Sequence, residues 1–280
     1  MKISVIIPTY NEENVILDCL QSLEMQSFTD FEVIVIDDGS TDSTLLKIHS
    51  VESTLNYKLK ILKGKHEGAG SARNLGAKSA VGDILVFVDS DMTFNKNFLK
   101  MLVKPIIAGK TKGTFSKDEY VANWENVWSK CWNINEGWEN KKRHPKNYPD
   151  EQEVFRAILR TEFNRVGGFT PGGYNDDWSL YKKLNFKATV APKAIFFHKN
   201  PESLIEIFNH AKWVGKRSYK LGALGYMVAL IRSSLPISLV VGLTKSFFST
   251  QPMFLVFKVV YDFGLFVGIV NYIVTKKGAK

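Results

Sequence analysis

The sequence predicts an α/β fold with a parallel sheet, followed by an apolar C-terminal region. Short β-branched runs alternate with longer helical patterns through the first 90 residues, which is typical of strands joined by crossover helices. The alternation ends near residue 110, and the two longest apolar stretches lie at 221–243 and 253–275. These observations separate a regular N-terminal part from a C-terminal region of different character.

The N-terminal elements place polar residues at one edge of the predicted sheet. The predicted strands cover 3–8, 32–37, 59–62 and 84–89, and the predicted helices lie near 12–25, 42–54 and 70–80. In parallel sheets, ligands bind beyond the carboxyl ends of the strands. The segments at or after three of these ends are PTYNEE, DDGSTD and DSD. We therefore expect a ligand site at this edge.

The middle of the chain is less regular. The predicted elements are a Trp-rich helix at 119–139, strands near 154–160 and 194–198, and helices near 176–185 and 202–220. Trp124, Trp128 and Trp132 recur every four residues and would share one helical face. That spacing favours core packing, and a wall that faces a sugar or lipid is the alternative.

Charge and cysteine content narrow the classes of partner. The net charge is +9, and residues 199–280 carry +8 of it, from eleven Lys or Arg and three Asp or Glu. Because these charges adjoin apolar runs, an anionic membrane surface is a better partner than nucleic acid. Cys19 and Cys131 are the only cysteines, so a disulfide framework is not expected. The N-terminal apolar run is too short for a signal peptide, and we expect a cytoplasmic catalytic part.

The DSD segment indicates a divalent cation. Asp89 and Asp91 flank Ser90 and point the same way in an extended chain. Two adjacent carboxylates repel each other unless a cation lies between them, and Mg²⁺ or Mn²⁺ bound to a diphosphate fits that requirement. An Asx-rich turn is the simpler interpretation of any isolated DSD.

Two further segments are suited to a nucleotide. Asp37 and Asp38 begin DDGSTD, in which a tight turn and a helix cap explain the later residues but not two adjacent acids. The segment HEGAGSARNLG (66–76) places two glycines before a helix, which permits close approach of a phosphate, and Arg73 could face the same anion. A loop before an Ala-rich helix would explain the glycines equally well.

The motifs taken together resemble family-2 glycosyltransferases of the GT-A fold, a Rossmann-like domain that binds nucleoside-diphosphate sugars. PTYNEE, DDGSTD, GSARNLG, DSD, VGGF and DDWSL occur in the family's order over roughly residues 1–220. The resemblance implies an inverting transferase, dependent on Mn²⁺ or Mg²⁺, with a UDP- or GDP-sugar donor. NHAKW (209–213) is similar to a degenerate Gln-x-x-Arg-Trp motif, which leaves processive synthesis open.

The resemblance assigns roles residue by residue. Asp177 would be the catalytic base, with Asp176 beside it where the family usually has Glu. Asp91 would bind the metal, together with Asp89 and His198. For His198, a purely structural role as a buried, hydrogen-bonded histidine is an equal alternative. The nucleotide-binding residues would be Pro8, Thr9, Tyr10, Glu12, Asp37, Asp38, Arg73, Asp89 and Ser90.

The C-terminal stretches favour membrane association. We expect residues 1–220 to form the transferase domain and 221–280 a basic hydrophobic tail, either a two-helix hairpin across the bilayer or helices in its interface. Arg232 and Pro236 interrupt the first stretch, and Lys258 and Asp262 in the second are four apart and could pair.

The expected reaction is sugar transfer to a hydroxyl on a lipid-linked or surface-glycan acceptor. The alternative with the same fold is a polyprenyl-phosphate (dolichyl or undecaprenyl) sugar synthase, whose anionic acceptor needs no base. A non-catalytic nucleotide-binding or membrane scaffold protein is a third hypothesis. It requires Asp89, Asp91 and Asp177 to be incidental.

Overall fold

A computed structural model describes residues 1–171, 176–217, 219–275 and 278, without the side chains of Asp176 and Asp177. The strands are β1 (Ile3–Thr9), β2 (Phe31–Asp37), β3 (Lys58–Lys63), β4 (Ile84–Phe87), β5 (Met92–Phe94), β6 (Gly113–Phe115), β7 (Glu119–Val121), β8 (Glu151–Gln152), β9 (Ala157–Leu159), β10 (Ala188–Val190) and β11 (Phe196–His198). The helices are α1 (Ile16–Glu24), α2 (Thr44–Val51), α3 (Ala69–Ser79), α4 (Phe98–Ile107), α5 (Val127–Glu136), α6 (Arg160–Arg165), α7 (Asp176–Leu184), α8 (Leu204–Gly215), α9 (Gly222–Arg232), α10 (Leu235–Ser249) and α11 (Phe254–Thr275).

The main sheet confirms the predicted parallel strands and adds others. Its described strands follow the order β3-β2-β1-β4-β9-β6-β10-β8. β1 pairs in parallel with β2 and β4, and β2 pairs in parallel with β3. β9 runs antiparallel to both β4 and β6, so the complete sheet is mixed. The apolar pattern of a short buried strand predicts that it is a strand and carries no information about its direction.

Both faces of the sheet are buried, which explains the nearly continuous apolar runs of its central strands. Alternate residues of β1 and β2 enter two cores, one with Val5 and Val33 and the other with Ile6 and Ile36. α1 packs in the first core, and α3 packs in the second through Ala72 and Ala77. Gly76 allows α3 to approach the sheet, since a Cβ there would lie 2.6 Å from Ile36 Cδ1.

A second sheet of order β5-β11-β7 lies among the described residues. β5 and β11 are antiparallel, and His198 is the partner of Met92 in their register. Met92 follows Asp91 directly in the chain. This pairing therefore brings the end of β11 to the acidic segment that follows β4.

The predicted Trp-rich helix at 119–139 is wrong in extent. Residues 119–121 form β7, and α5 begins after Asn126, whose side chain accepts hydrogen bonds from the backbone N–H groups of Trp128 and Ser129. Such an N-cap fixes the start of a helix. Trp124 therefore lies outside α5, and the three tryptophans do not share one helical face. Trp132 is buried against Phe257 and Tyr261, which confirms core packing at that position.

The chain divides into two compact units, and the predicted domain boundary at residue 220 stays a prediction. The first holds residues 1–120 and 147–198, and the second holds 121–146 with the described residues from 199 onward. In the second unit, Cys131, Trp132, Ile207, Phe254 and Phe257 form a core that joins α5, α8 and α11. α8, which the sequence placed with the transferase domain, thus packs with the apolar region.

The apolar region contains three helices. α9 and α10 meet at 59° across Ser233 and Ser234, and Pro236 lies in the first turn of α10, where its missing N–H is tolerated. Lys258 and Asp262 pair at 2.8 Å as predicted. One described helix, α11, is long and apolar enough to cross a membrane, and the bent pair α9–α10 would make a second span if counted as one.

We expect Gly264→Ala to destabilise the second unit. A Cβ at this position would lie 2.6 Å from the carbonyl oxygen of Phe208 and 2.9 Å from Ala211 Cβ. Overpacking typically costs about 1–3 kcal/mol, against the ~1 kcal/mol that alanine gains over glycine in a helix. Thermal unfolding followed by circular dichroism should show a lower melting temperature. Val274→Ala, at an exposed position on the same helix, should leave it nearly unchanged.

Candidate active site

The ends of β1 and β2 meet the glycine-rich segment before α3. The backbone N–H of Asp38 donates to the carbonyl of Thr9 at 2.9 Å. The Asp38 carboxylate accepts from the backbone N–H groups of Gly68 at 2.9 Å and Glu67 at 3.3 Å. Asp37 instead accepts from Ser40 N at 3.1 Å, within its own turn. Asp38 therefore holds the glycine-rich segment against the sheet edge, while Asp37 shapes the turn.

An aromatic pair lies beside this segment. The rings of Tyr10 and His66 are 4.4 Å apart, and Tyr10 is 42% exposed. His66 Nδ1 lies 3.1 Å from the backbone carbonyl of Asp38, an acceptor, so Nδ1 is the donor. His66 was not among the predicted residues, although it begins the HEGAGSARNLG segment. The two rings are tilted by 37° to each other, and the exposed Tyr10 ring offers a face on which a nucleobase could stack.

Asp89 lies between two arginines. Arg73 Nη2 contacts one carboxylate oxygen at 2.7 Å, and Arg156 Nη1 contacts the other at 3.2 Å. Burial would raise the pKa of Asp89, but Arg156 and Arg73 hold that pKa well below its ordinary value. Arg73, predicted to face an anion, thus bonds to a carboxylate of the protein.

Arg156 was not predicted from the sequence. It lies in the apolar run VFRAIL, where a charged residue in a buried strand pattern was the available signal. Its backbone N–H donates to the carbonyl of Thr114 at 2.9 Å. The sheet therefore fixes the backbone of Arg156 while its side chain reaches Asp89.

His198 lies between two carboxylates. Its Nε2 is 2.7 Å from Asp91 Oδ2, and its Nδ1 is 3.1 Å from Glu119 Oε1. The structure thus brings the predicted pair Asp91 and His198 together and adds Glu119 from β7. No sequence pattern distinguished Glu119 from the neighbouring Asp118, because its role arises from the position of β7 in the second sheet.

The acidic residues crowd one another. Burial, together with the nearby Asp91 and Asp89 carboxylates, raises the pKa of Glu12 to about 7. Within the described residues no three His, Cys, Asp or Glu side chains form a complete metal site. Mg²⁺ and Mn²⁺ sites often use one or two protein ligands together with phosphate oxygens. Asp91 and His198 Nε2 therefore fit a cation that a diphosphate also binds.

Some of the remaining predicted residues lie at the carboxyl ends of the strands, and the others have side chains that the structure does not describe. Pro8 and Thr9 end β1, where Thr9 Oγ1 is buried without a hydrogen-bond partner in the described part of the chain. Ser90 is buried between the two acids. α7 begins at Asp176, but the side chains of Asp176 and Asp177 lie outside the described residues, so their predicted roles stay predictions.

Comparison with known proteins identifies the class. Residues 4–167 match the model of the family described as glycosyl transferase family 2, and the chain belongs to this family. It is 47% identical over 102 residues to the poly(ribitol-phosphate) β-N-acetylglucosaminyltransferase TarS of Staphylococcus aureus, covering 36% of this chain and 18% of TarS. It is 37% identical over 123 residues to a poly(ribitol-phosphate) β-glucosyltransferase of Bacillus spizizenii, covering 40% of this chain and 19% of that protein. The chain thus matches less than a fifth of these relatives.

Solved structures support the fold. TarS residues 1–349 in complex with UDP-GlcNAc align with a TM-score of 0.54 and 20% identity, covering 98% of this chain and 92% of that one. The mannosyltransferase PcManGT of Pyrobaculum calidifontis, in complex with GDP-Man and Mn²⁺, aligns with a TM-score of 0.60 and 18% identity, covering 99% and 88%. These likenesses confirm the predicted GT-A fold.

We expect Glu119→Gln to weaken Mn²⁺ binding in the presence of UDP. A carboxylate on one nitrogen of a metal-binding imidazole fixes the tautomer, and loss of such a partner typically weakens metal affinity about 10–100-fold. Calorimetric titration measures the affinity, and nitrogen NMR of His198 reports the tautomer. Glu125→Gln is the control, because Glu125 is exposed. Unchanged affinity and unchanged ring shifts in Glu119→Gln would contradict this role.

Proposed function

We propose that this chain transfers a sugar from a UDP- or GDP-sugar donor to a hydroxyl group, with inversion at the anomeric carbon. The observation that carries the proposal is the convergence of Arg73, Arg156, Asp91 and His198 at the end of β4. Family membership and neighbours solved with UDP-GlcNAc and GDP-Man support a nucleotide-sugar donor. The relatives are matched over a small part of their length, so the activity of the whole protein is a proposal.

The donor would bind along the carboxyl edge of β1, β2 and β4. Tyr10 and His66 would stack with the base, and Asp38 would accept a hydrogen bond from it. Asp89 holds Arg73 and Arg156 beside the expected diphosphate. Charge that develops on the leaving diphosphate would be stabilised by these pre-positioned guanidinium groups, because donors fixed in place need no reorganisation during the reaction.

Asp91 and His198 would hold Mn²⁺ or Mg²⁺, with Asp89 nearby. A bound divalent cation supplies positive charge that stabilises the departing diphosphate. Glu119 would keep His198 Nδ1 occupied, so that Nε2 faces the cation.

Asp177 is proposed as the general base that accepts the proton of the acceptor hydroxyl. It lies in the first turn of α7, and α7 follows the VGGF segment, whose Phe169 is hydrogen-bonded in both directions to Asn74 of α3. The next residue, Thr170, donates its backbone N–H to Ser179 Oγ of α7 at 2.9 Å. Since α3 also carries Arg73, this segment links α7 to the helix that carries the proposed donor-binding arginine. Asp176 would assist without taking the proton.

The acceptor is proposed to be a hydroxyl of a lipid-linked molecule or a surface glycan. Two relatives act, by their names, on poly(ribitol-phosphate), a polymer that offers hydroxyl groups. The basic apolar region from residue 199 would hold the enzyme at an anionic membrane, with the catalytic part on the cytoplasmic side.

We expect Asp177→Asn to lower kcat by ~10²–10⁴, because the substitution keeps the shape of the side chain and removes the proton acceptor. Donor affinity should stay nearly constant, since the donor-binding residues are untouched. Initial rates with UDP- and GDP-sugars, Mn²⁺ and a hydroxyl acceptor provide the measurement. Asp176→Asn is the matched control and should lose much less.

Near-normal turnover of Asp177→Asn would refute the base assignment. Transfer to a polyprenyl phosphate with that variant would favour a polyprenyl-phosphate sugar synthase, because an anionic phosphate acceptor needs no base. A chain that binds no nucleotide-sugar and neither hydrolyses nor transfers it would favour a scaffold protein.

A further inference from the structure

α9 and α10 each present exposed apolar residues to solvent. The apolar face is defined by Leu224, Met227 and Ile231 of α9 and Leu239, Leu243 and Phe247 of α10, each at least 39% exposed. Their spacing of three or four residues places them on one side of each helix. α9 has no buried residue. Single exposed apolar residues are ordinary, but several on one side of a helix mark an interaction surface.

α11 packs against two neighbouring helices of the second unit. α8 lies directly against it, since a Cβ at Gly264 would meet the carbonyl of Phe208. On another side, Ser238 of α10 donates to Asp262, which is 2% exposed. The rest of α11 is open, and its exposed apolar residues include Phe263 and Val274.

The position of α8 argues against α11 as a membrane span. At about 1.5 Å per residue, α11 is about 33 Å long and the adjoining α8 about 18 Å, against a hydrocarbon core of about 30 Å. If α11 crossed that core, most of α8 would lie inside it. The exposed residues of α8 include Glu206 and Asn209, beside the apolar Ile205. Polar and charged side chains are strongly disfavoured in hydrocarbon.

The charges beside the apolar face select its partner. Arg217 and Lys220 are exposed just before α9, and Arg232 is exposed at its end. An apolar helical face flanked by basic residues is typical of helices that lie in the interface of an anionic bilayer. A second copy of the chain on this face would bring like charges together, which disfavours self-association.

We propose that this protein is monotopic: the apolar face of α9 and α10 enters one leaflet of an anionic membrane, and α11, held along α8 and α10, does not cross it. The inference deepens the membrane part of the proposed function. It settles the choice between a spanning hairpin and interfacial helices in favour of the interface. The membrane would then present a lipid-linked acceptor to an enzyme that stays on one side.

The first test measures binding of the full chain to vesicles of phosphatidylglycerol and phosphatidylcholine. Flotation should show that binding weakens at least ~10-fold when the vesicles are pure phosphatidylcholine, because they lack anionic lipid. Binding to the mixed vesicles should also weaken at least ~10-fold in Ile231→Glu, because the substitution places a charge on the inserted face. Leu46→Glu, at a position 73% exposed on α2, is the matched control and should bind normally. UDP binding by each variant reports folding and donor recognition separately from membrane binding.

The second test distinguishes a monotopic protein from a spanning one. Two variants of the full chain are expressed: Met253→Cys, between α10 and α11, and Ser53→Cys, after α2. Spheroplasts and inverted vesicles prepared from these cells are each labelled with an impermeant maleimide. The parent chain is the blank, since Cys19 and Cys131 are buried. A native protein on each side verifies that the reagent has access. Met253→Cys should label from the side of Ser53→Cys or from neither side.

Labelling of Met253→Cys from the side opposite to Ser53→Cys would show that the α10–α11 turn crosses the membrane and would overturn the proposal. Absence of vesicle binding, or equal binding by Ile231→Glu and the parent, would also overturn it. A concentration-dependent dimer in sedimentation velocity that Ile231→Glu abolishes, without vesicle binding, would assign the face to a second copy. None of these outcomes bears on donor binding, so the transferase proposal is tested independently.

Discussion

Opposite charges at the carboxyl end of β4 join the distant parts of the first unit. Asp89 bonds to Arg73 of α3 and to Arg156 just before β9, while Asp91 bonds to His198 of β11. These carboxylates are only partly exposed, and a partly buried charge that loses its partner is strongly destabilising. The same residues therefore fix the sheet edge and line the proposed donor site, because the groups that balance charge in the protein are those that a diphosphate and a cation require.

This arrangement has a consequence for substrate binding. A donor diphosphate would share Arg73 and Arg156 with Asp89, and a cation would share His198 with Asp91. The protein's own carboxylates and imidazole thus hold the binding groups in position before the donor arrives. Preorganisation of this kind is effective because the site does not have to rearrange as charge develops. Burial and the neighbouring Asp91 and Asp89 carboxylates raise the pKa of Glu12 to about 7, so negative charge adds to burial in disfavouring a further ionised carboxylate beside the proposed cation.

The second unit shows the limits of apolar composition as a membrane signal. The residues from 253 to 275 meet the length and hydropathy expected of a span. In the structure α11 contacts α5, α8 and α10, and Gly264 and Gly268 allow α8 to pack against its backbone. A long apolar helix that packs against protein and one that faces lipid can have the same composition, and only their neighbours distinguish them. Exposed apolar residues lie on α9, α10 and the open side of α11.

The sequence by itself determined the first four parallel strands, their crossover helices and the polar edge, because alternating periodicity and turn residues are local properties. It also proposed Asp89, Asp91 and Arg73 as site residues, because their motifs occur in order along the chain, and His198 by resemblance to the family. Only the tertiary structure decided that Arg156 and Glu119 join them, that β9 runs antiparallel, and that α8 packs with α11. Each of these depends on which distant segments become neighbours, and no local pattern encodes that.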